Sequence, residues 1–243
     1  GFGGYVVGGC VRDALRGIEP NDYDVATDAA PGEVLEVFSD KKTIETGIKH
    51  GTVTVVINGK NIEITTFRID GEYRDNRHPD EVRFTKYLAD DLSRRDFTVN
   101  SMAYSPKTGL ADFFDGRQDL ENKIIRCVAD PDKRFNEDGL RILRALRFSS
   151  VLGFGIEEKT AASIHKNRLL LKNISAERIY SELIKLLCGI GAGGVIADYF
   201  DVMCVFAPEL GKVAIKGMLC HTAKTVDNVP PERNLRLAAF FHC

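Results

Sequence analysis

The feature that most constrains this fold is the run Thr52–Ile57, followed by Asn58-Gly59 and a second run, Lys60–Phe67. β-Branched residues crowd the first run, and Asn-Gly is the turn pair that reverses a strand with the right twist. A hairpin here commits the first half of the chain to a sheet. From about residue 134 the spacing changes. Leu140, Leu143, Leu146 and Phe148 recur near the helical period, and Ser175–Leu187 reads as a second helix. The chain reads as α+β first and all-α afterwards. Residues 5–7 read as a strand ending at Gly8-Gly9, 10–16 as a helix stopped by Gly17, and 23–26 as a strand. Pro31 and Gly32 introduce a helix over 32–38. Residues 69–83 read as a polar, mobile loop, Leu92–Tyr104 as a helix, and Gly109–Gly116 as a hairpin or loop. Gly189–Gly194 reads as a break before two or three weaker helices.

With 243 residues, 44% of them hydrophobic, the chain can bury a core without metal or disulfide staples. The six cysteines, at 10, 127, 188, 204, 220 and 243, form no Cys-x-x-Cys pair and have no zinc-finger spacing with histidine. They read as buried free thiols. No signal peptide and no apolar run of membrane-spanning length is recognisable, so the expectation is a cytoplasmic protein with no membrane partner. Both ends lie in apolar runs, Gly4–Val7 and Leu235–Phe241, which suggests a piece of a longer protein. The net charge of −2 does not advertise a nucleic-acid binder, yet residues 126–185 hold 12 Lys/Arg against 8 Asp/Glu.

Asp22-Tyr23-Asp24 is the central chemical signal. Residues two apart on a strand share a face, so two carboxylates can hold one hard cation, and Mg²⁺ prefers oxygen ligands. A solvated turn is the bland alternative. Gly8 and Gly9 stand at a strand-to-helix junction, where backbone N–H groups can approach phosphate oxygens. Arg12 follows on the first turn, within reach of a triphosphate. A dinucleotide-binding fingerprint is excluded, because Val6 stands where its third glycine belongs. Arg94-Arg95 opens the expected helix, either to bind phosphate or to face solvent. Glu63, between apolar neighbours on its strand, is either an edge decoration or a third acid of the metal site.

Glu137-Asp138-Gly-Leu-Arg141-Ile-Leu-Arg144-Ala-Leu-Arg147-Phe148 is the second signal. Asp138 and Arg141, three apart on a helix, can act on one ligand edge. A carboxylate accepts from the exocyclic amino group of cytosine or adenine, and a guanidinium donates to the adjacent ring nitrogen. Uracil and guanine present a carbonyl there, so the pair favours C and A without a template. Arg144 and Arg147 lie further round the helix and suit phosphate or RNA backbone. An exposed i,i+3 salt bridge is the bland alternative.

These blocks resemble the class II tRNA nucleotidyltransferase and bacterial poly(A) polymerase family. The matching segments are 7–17 with Asp22-Tyr-Asp24, Glu63–Arg68, Arg94–Ala103, Phe114–Leu120, Arg134–Phe148 and Ala176–Leu183. The resemblance implies a polymerase-β-like nucleotidyltransferase head with a mixed sheet over 1–125. A helical neck over 126–190 and the start of a helical body over 191–243 would follow. It implies that Asp22 and Asp24 bind Mg²⁺, that Gly9 and Arg12 contact the nucleotide and Arg95 its phosphates, and that Asp138, Arg141, Arg144 and Arg147 line the nucleotide pocket. The segment around Asp115-Gly116 resembles one that reorients as specificity switches from C to A. His221 and Leu235–His242 resemble the start of an HD-type domain, but Cys243 stands where its Asp should follow, so no metal site is assigned there. The expected function is CCA addition to the 3′ end of tRNA from CTP and ATP. A poly(A) polymerase, an enzyme adding only CC or only A, and a non-catalytic RNA-binding module are the rivals.

Overall fold

The computed structural model describes residues 1–71, 82–212 and 216–242, without side chains at 212 and 216–220. The chain forms two compact units, one running to Glu121 and the other from Asn122 onward. Among the described residues no helix is long and apolar enough to cross a membrane. Cys10, Cys127, Cys188 and Cys204 are free thiols, the first two buried.

The first unit is built on a mixed sheet. Its strands are β1 (Gly4–Val7), β2 (Asp24–Thr27), β3 (Lys42–Ile44), β4 (Thr52–Ile57), β5 (Lys60–Thr66), β8 (Met102–Ser105) and β9 (Gly109–Asp112), in the order β3-β4-β5-β2-β1-β8-β9. The expected hairpin is β4–β5, turning at Asn58-Gly59. The strand pair β2–β5 is parallel, whereas its neighbours β1–β2 and β4–β5 are antiparallel. Along β4, Val53 and Val55 are 0% exposed and alternate with half-exposed Thr52 and Thr54, the pattern of a sheet with one covered face. The cover is α2 (Pro31–Val37), whose Val34 packs with Ala29, Val53, Val55 and Ile64. On the opposite face Val7, Ala26, Phe67, Leu92 and Ala103 form a second core. Fully burying side chains the size of Phe67 and Leu92 stabilises by about 2 kcal/mol each.

Two expectations for this unit need correction. Leu92–Tyr104 is not one helix. The helix α3 (Leu88–Ser93) ends before Arg94, Thr98–Asn100 is a single 3₁₀ turn, and Met102–Ser105 is strand β8. The short polar side chains explain the break: Asp96 accepts from the Phe97 N–H, and Ser101 donates to the Leu92 carbonyl, competing with helical bonds. The expected loop over 69–83 falls mainly on 72–81, outside the described residues. Its flanks are strands, β6 (Arg68–Asp70) paired antiparallel with β7 (Val82–Phe84).

The remaining helices of this unit are α1 (Gly9–Leu15) and α4 (Gly116–Glu121). The start of α4 is held by Asp112, whose carboxylate accepts from the N–H groups of Gly116 (2.9 Å) and Arg117 (2.8 Å). A Cβ on Gly116 would collide with the Thr98 carbonyl oxygen and lie 2.9 Å from its carbon.

The second unit is mostly helical, with helices α5 (Pro131–Glu137), α6 (Leu140–Leu152), α7 (Glu158–Asn167), α8 (Ala176–Leu187), α9 (Ala192–Asp198), α10 (Phe200–Phe206), α11 (Pro208–Lys212), α12 (Lys216–Asn228) and α13 (Arg233–Phe241). It is not purely α, because Ile124–Ile125 pairs in parallel with Gly155–Ile156. Ile142, Leu143, Ala145 and Leu146 of α6 are fully buried, and α8 buries Ile179, Glu182, Leu183, Leu186 and Leu187. Five helices follow Gly189 among the described residues, not two or three, and the first begins inside the glycine run. Gly193 is there for packing: its N–H donates to Asp227 of α12 at 2.9 Å.

We expect Gly116→Ala to destabilise the protein by about 2 kcal/mol, since an added Cβ meets backbone that cannot swing aside. A denaturant midpoint equal to wild type would refute that close approach.

Candidate active site

The first cluster forms where β1 ends. Gly8 turns the chain into α1 with φ 77° and ψ −133°, a conformation that disfavours any side chain. A Cβ there would also lie 3.0 Å from Arg95 Nη1, so the Arg95 guanidinium lies across the bare backbone of Gly8. Arg12, on α1, donates through Nη1 to Asn100 Oδ1 at 2.7 Å, and through Nε and Nη2 to both oxygens of Asp13 at 2.9 Å. Asn100 donates in turn to Asp96 Oδ1 at 3.2 Å. Both arginines thus have fixed directions.

Arg94 and Arg95 close α3 rather than opening a helix, and they do not form a solvent-facing pair. They turn back on Asp91, which is 0% exposed. Arg94 donates to Asp91 Oδ1 from Nε (3.0 Å) and Nη2 (2.7 Å), and Arg95 Nη2 donates to Oδ2 at 3.2 Å. Burial alone would push the Asp91 carboxyl up, but the two guanidiniums outweigh it and hold the group below the usual carboxylate range. The sequence reading missed Asp91. Its spacing, three and four residues before the arginines on one helix, is the signal that could have found it.

Asp24 is the first residue of β2, between Val7 of β1 and Glu63 of β5. Residues facing each other across a ladder point to the same side, so Asp24 and Glu63 share a face. Asp22 lies two residues upstream, just outside the strand. Asp24 is solvent-accessible, yet burial by its surroundings raises its carboxyl above the ordinary range. The Arg95 charge lowers it and the Asp22 charge raises it again. Asp24 therefore feels both Arg95 and Asp22. Glu63 is beside Asp24 in register, but among the described residues no three His, Cys, Asp or Glu side chains gather into a metal-holding group. Asp22 lies outside β2, so the shared strand face does not hold for the pair; the two carboxylates still offer oxygen donors of the kind a hard divalent cation takes.

The second cluster lies in the second unit. Asp138 is not on the arginine-bearing helix. It sits in extended conformation (φ −142°, ψ 106°) between α5 and α6. Its Oδ1 accepts from the Leu140 N–H at 3.0 Å, and its Oδ2 accepts from Arg178 of α8 at 3.0 Å. Arg141 donates to Glu137 Oε2 at 2.7 Å, and Glu137 Oε1 accepts from Arg134 at 2.6 Å. The simple Asp138–Arg141 salt bridge is thus replaced by two separate pairings. Arg141, Arg144 and Arg147 form the half-exposed stripe of α6. Arg144 lies 5.5 Å over the Phe148 ring and Arg147 lies 3.9 Å over it, while Arg147 also pairs with Glu182 of α8 at 2.6 Å. Glu137 stands in the sequence signal without a role, and Arg178 and Glu182 were given none, because they come from α8, far along the chain from Asp138 and Arg147.

His221 and His242 approach each other, Nε2 to Nε2, at 3.0 Å. The position after His242 is outside the described residues.

With this geometry in hand, comparison with known proteins is informative. Residues 4–126 match the family described as the poly A polymerase head domain, and residues 153–193 match a probable RNA- and SrmB-binding site of polymerase A. The chain is 46% identical over 211 residues to the CCA-adding enzyme of Enterococcus faecalis, covering 86% of this chain and 52% of that protein. It is 52% identical over 191 residues to the CCA-adding enzyme of Lactobacillus helveticus, covering 79% and 47%. The crystal structure of the Bacillus stearothermophilus CCA-adding enzyme in complex with CTP superimposes with a TM-score of 0.74 at 44% identity, covering 82% of this chain and 47% of that one. The Thermotoga maritima CCA-adding enzyme complexed with tRNA superimposes at 0.73 with 28% identity, covering 98% and 58%. The chain spans about half the length of the curated relatives it matches. The mixed sheet with its helices is the polymerase-β-like nucleotidyltransferase head, and the chain belongs to the poly A polymerase head domain family.

Proposed function

We propose that this chain adds C and A to the 3′ end of tRNA, without a template, from CTP and ATP. The observation that carries the reading is the convergence of Asp22, Asp24 and Arg95 beside the glycine turn at Gly8. The named relatives, CCA-adding enzymes in complexes with CTP and with tRNA, support it. In the transfer, the RNA 3′-hydroxyl oxygen forms a bond to the α-phosphorus of the nucleotide. The α–β bridging bond breaks, pyrophosphate leaves with that electron pair, and the hydroxyl proton passes to solvent. Asp22 and Asp24 would hold Mg²⁺, which when bound lowers the cost of the charge that develops on the reacting oxygens. Arg12 and Arg95 would bind the phosphates, with Gly9 offering its backbone N–H; the Gly8 N–H is already donated to the Met102 carbonyl, so Gly8 would contribute its turn and its missing side chain. The fixed directions of the two arginines supply positioning before the reaction begins. Glu63 would support the acid pair from the neighbouring strand.

For base choice we assign Asp138 and Arg141. The Asp138 carboxylate, oriented by Leu140 and Arg178, keeps lone pairs to accept from an exocyclic amino group. Arg144 and Arg147 would contact phosphate or RNA backbone. We propose the division 1–125 head, 126–190 neck and 191–243 start of a body, and a cytoplasmic location. A second reading is poly(A) polymerase, which the description of the matching head family supports, or an enzyme adding only CC or only A.

We expect incorporation of two cytidines and one adenosine into a tRNA lacking its CCA end; many adenosines and no cytidine would select the second reading. Asp22→Ala should abolish incorporation while leaving RNA binding within about twofold, and unchanged incorporation would remove the catalytic assignment. Asp138→Ala should narrow the kcat/KM preference for CTP over UTP by about tenfold, the size of one lost base-edge contact. An unaltered preference would place base selection elsewhere.

A further inference from the structure

We infer that the open face of strands β5, β4 and β3 is the track along which the RNA 3′-terminal nucleotides reach Asp24, with Lys42 and Asn61 gripping their backbone. The inference rests on the nucleotidyl transfer proposed above. It starts from strand order. The groups proposed to bind phosphate, Gly9, Arg12 and Arg95, lie on the β1 side of Asp24. On the other side, in continuous register, come Glu63 of β5, Thr54 of β4 and Ile44 of β3. In-line displacement at phosphorus needs the attacking oxygen opposite the leaving group. If pyrophosphate departs toward β1 and α1, the attacking hydroxyl arrives from β5.

That side is physically open. Thr52, Thr54, Val56 and Thr65 are half-exposed, and Asn61 and Glu63 are exposed, while α2 packs on the reverse face. The charge on the face is graded. Near Asp24 it is acidic, where RNA phosphates would be repelled. One pleat further along, Lys42 of β3, Val56 of β4 and Asn61 of β5 form the next same-facing row. Three strand spacings and two residues put Lys42 roughly 16 Å from Asp24, a few nucleotides upstream of the reacting hydroxyl. There an ammonium suits a phosphate, and the Asn61 amide can donate to phosphate or exchange bonds with a ribose 2′-hydroxyl.

Lys60 provides an internal control. It carries the same charge as Lys42 and adjoins Asn61, but it pairs with Ile57 and so points to the α2 face. With an RNA ending before CCA, Lys42→Glu should raise the KM for RNA about tenfold and Asn61→Ala about fivefold, with the KM for CTP within twofold of wild type. Lys60→Glu should leave both within twofold. In direct binding of the same RNA, Lys42→Ala should reduce the slope of log affinity against log salt by about 0.7, the loss of one single-strand phosphate contact. An unchanged KM and salt slope in the Lys42 variants would overturn the track while wild-type incorporation keeps the transferase reading. So would an equal effect of Lys60→Glu. A wild-type protein that extends no RNA overturns both.

Discussion

The placing of the Asp24 carboxylate at the start of β2, with Asp22 two residues before it and the Arg95 charge nearby, is the constraint on which the site depends. Like charges two residues apart raise each other's energy, and a fold keeps them together only where something offsets the cost. Here the Arg95 guanidinium offsets part of it, since it lowers the Asp24 carboxyl that burial and Asp22 raise. A divalent cation bound between the acids would offset the rest. The strand pairing fixes one of the two acids: Asp24 is held by β1 on one side and by β5 on the other, while Asp22 lies just before the strand.

Arg95 is itself held from behind. Asp91, buried beneath it, is paired with Arg94 and Arg95, so loss of either arginine leaves a buried carboxylate poorly paired. The chain Asp96–Asn100–Arg12 does the same for Arg12, the second arginine proposed to meet phosphate. These networks keep flexible, charged side chains in one orientation, so less rotamer entropy would be lost on binding the proposed triphosphate. In the second unit, Arg178 and Glu182 of α8 play the corresponding part for Asp138 and Arg147.

Much of this was legible in the sequence, for identifiable reasons. The β4–β5 hairpin was visible because β-branched runs flank an Asn-Gly turn, and α1 and α2 because glycine and proline punctuate them. The acids were visible because Asp-x-Asp stands just after a glycine junction. What was hidden depends on long-range contact. Met102–Ser105 looks helical when read with α3, yet it becomes a strand because β1 and β9 are there to pair with it. Asp138 looked like part of a continuous helix, because the Leu140 N–H that it caps and the Arg178 that it meets cannot be inferred from local spacing.

The most direct test of the account is where a nucleotide's phosphates bind. In a crystal of this protein soaked with CTP and Mg²⁺, the account places the triphosphate against Gly9 and Arg12, with density for the cation between Asp22 and Asp24. Phosphates found away from that glycine turn, or a cation that ignores both acids, would contradict it.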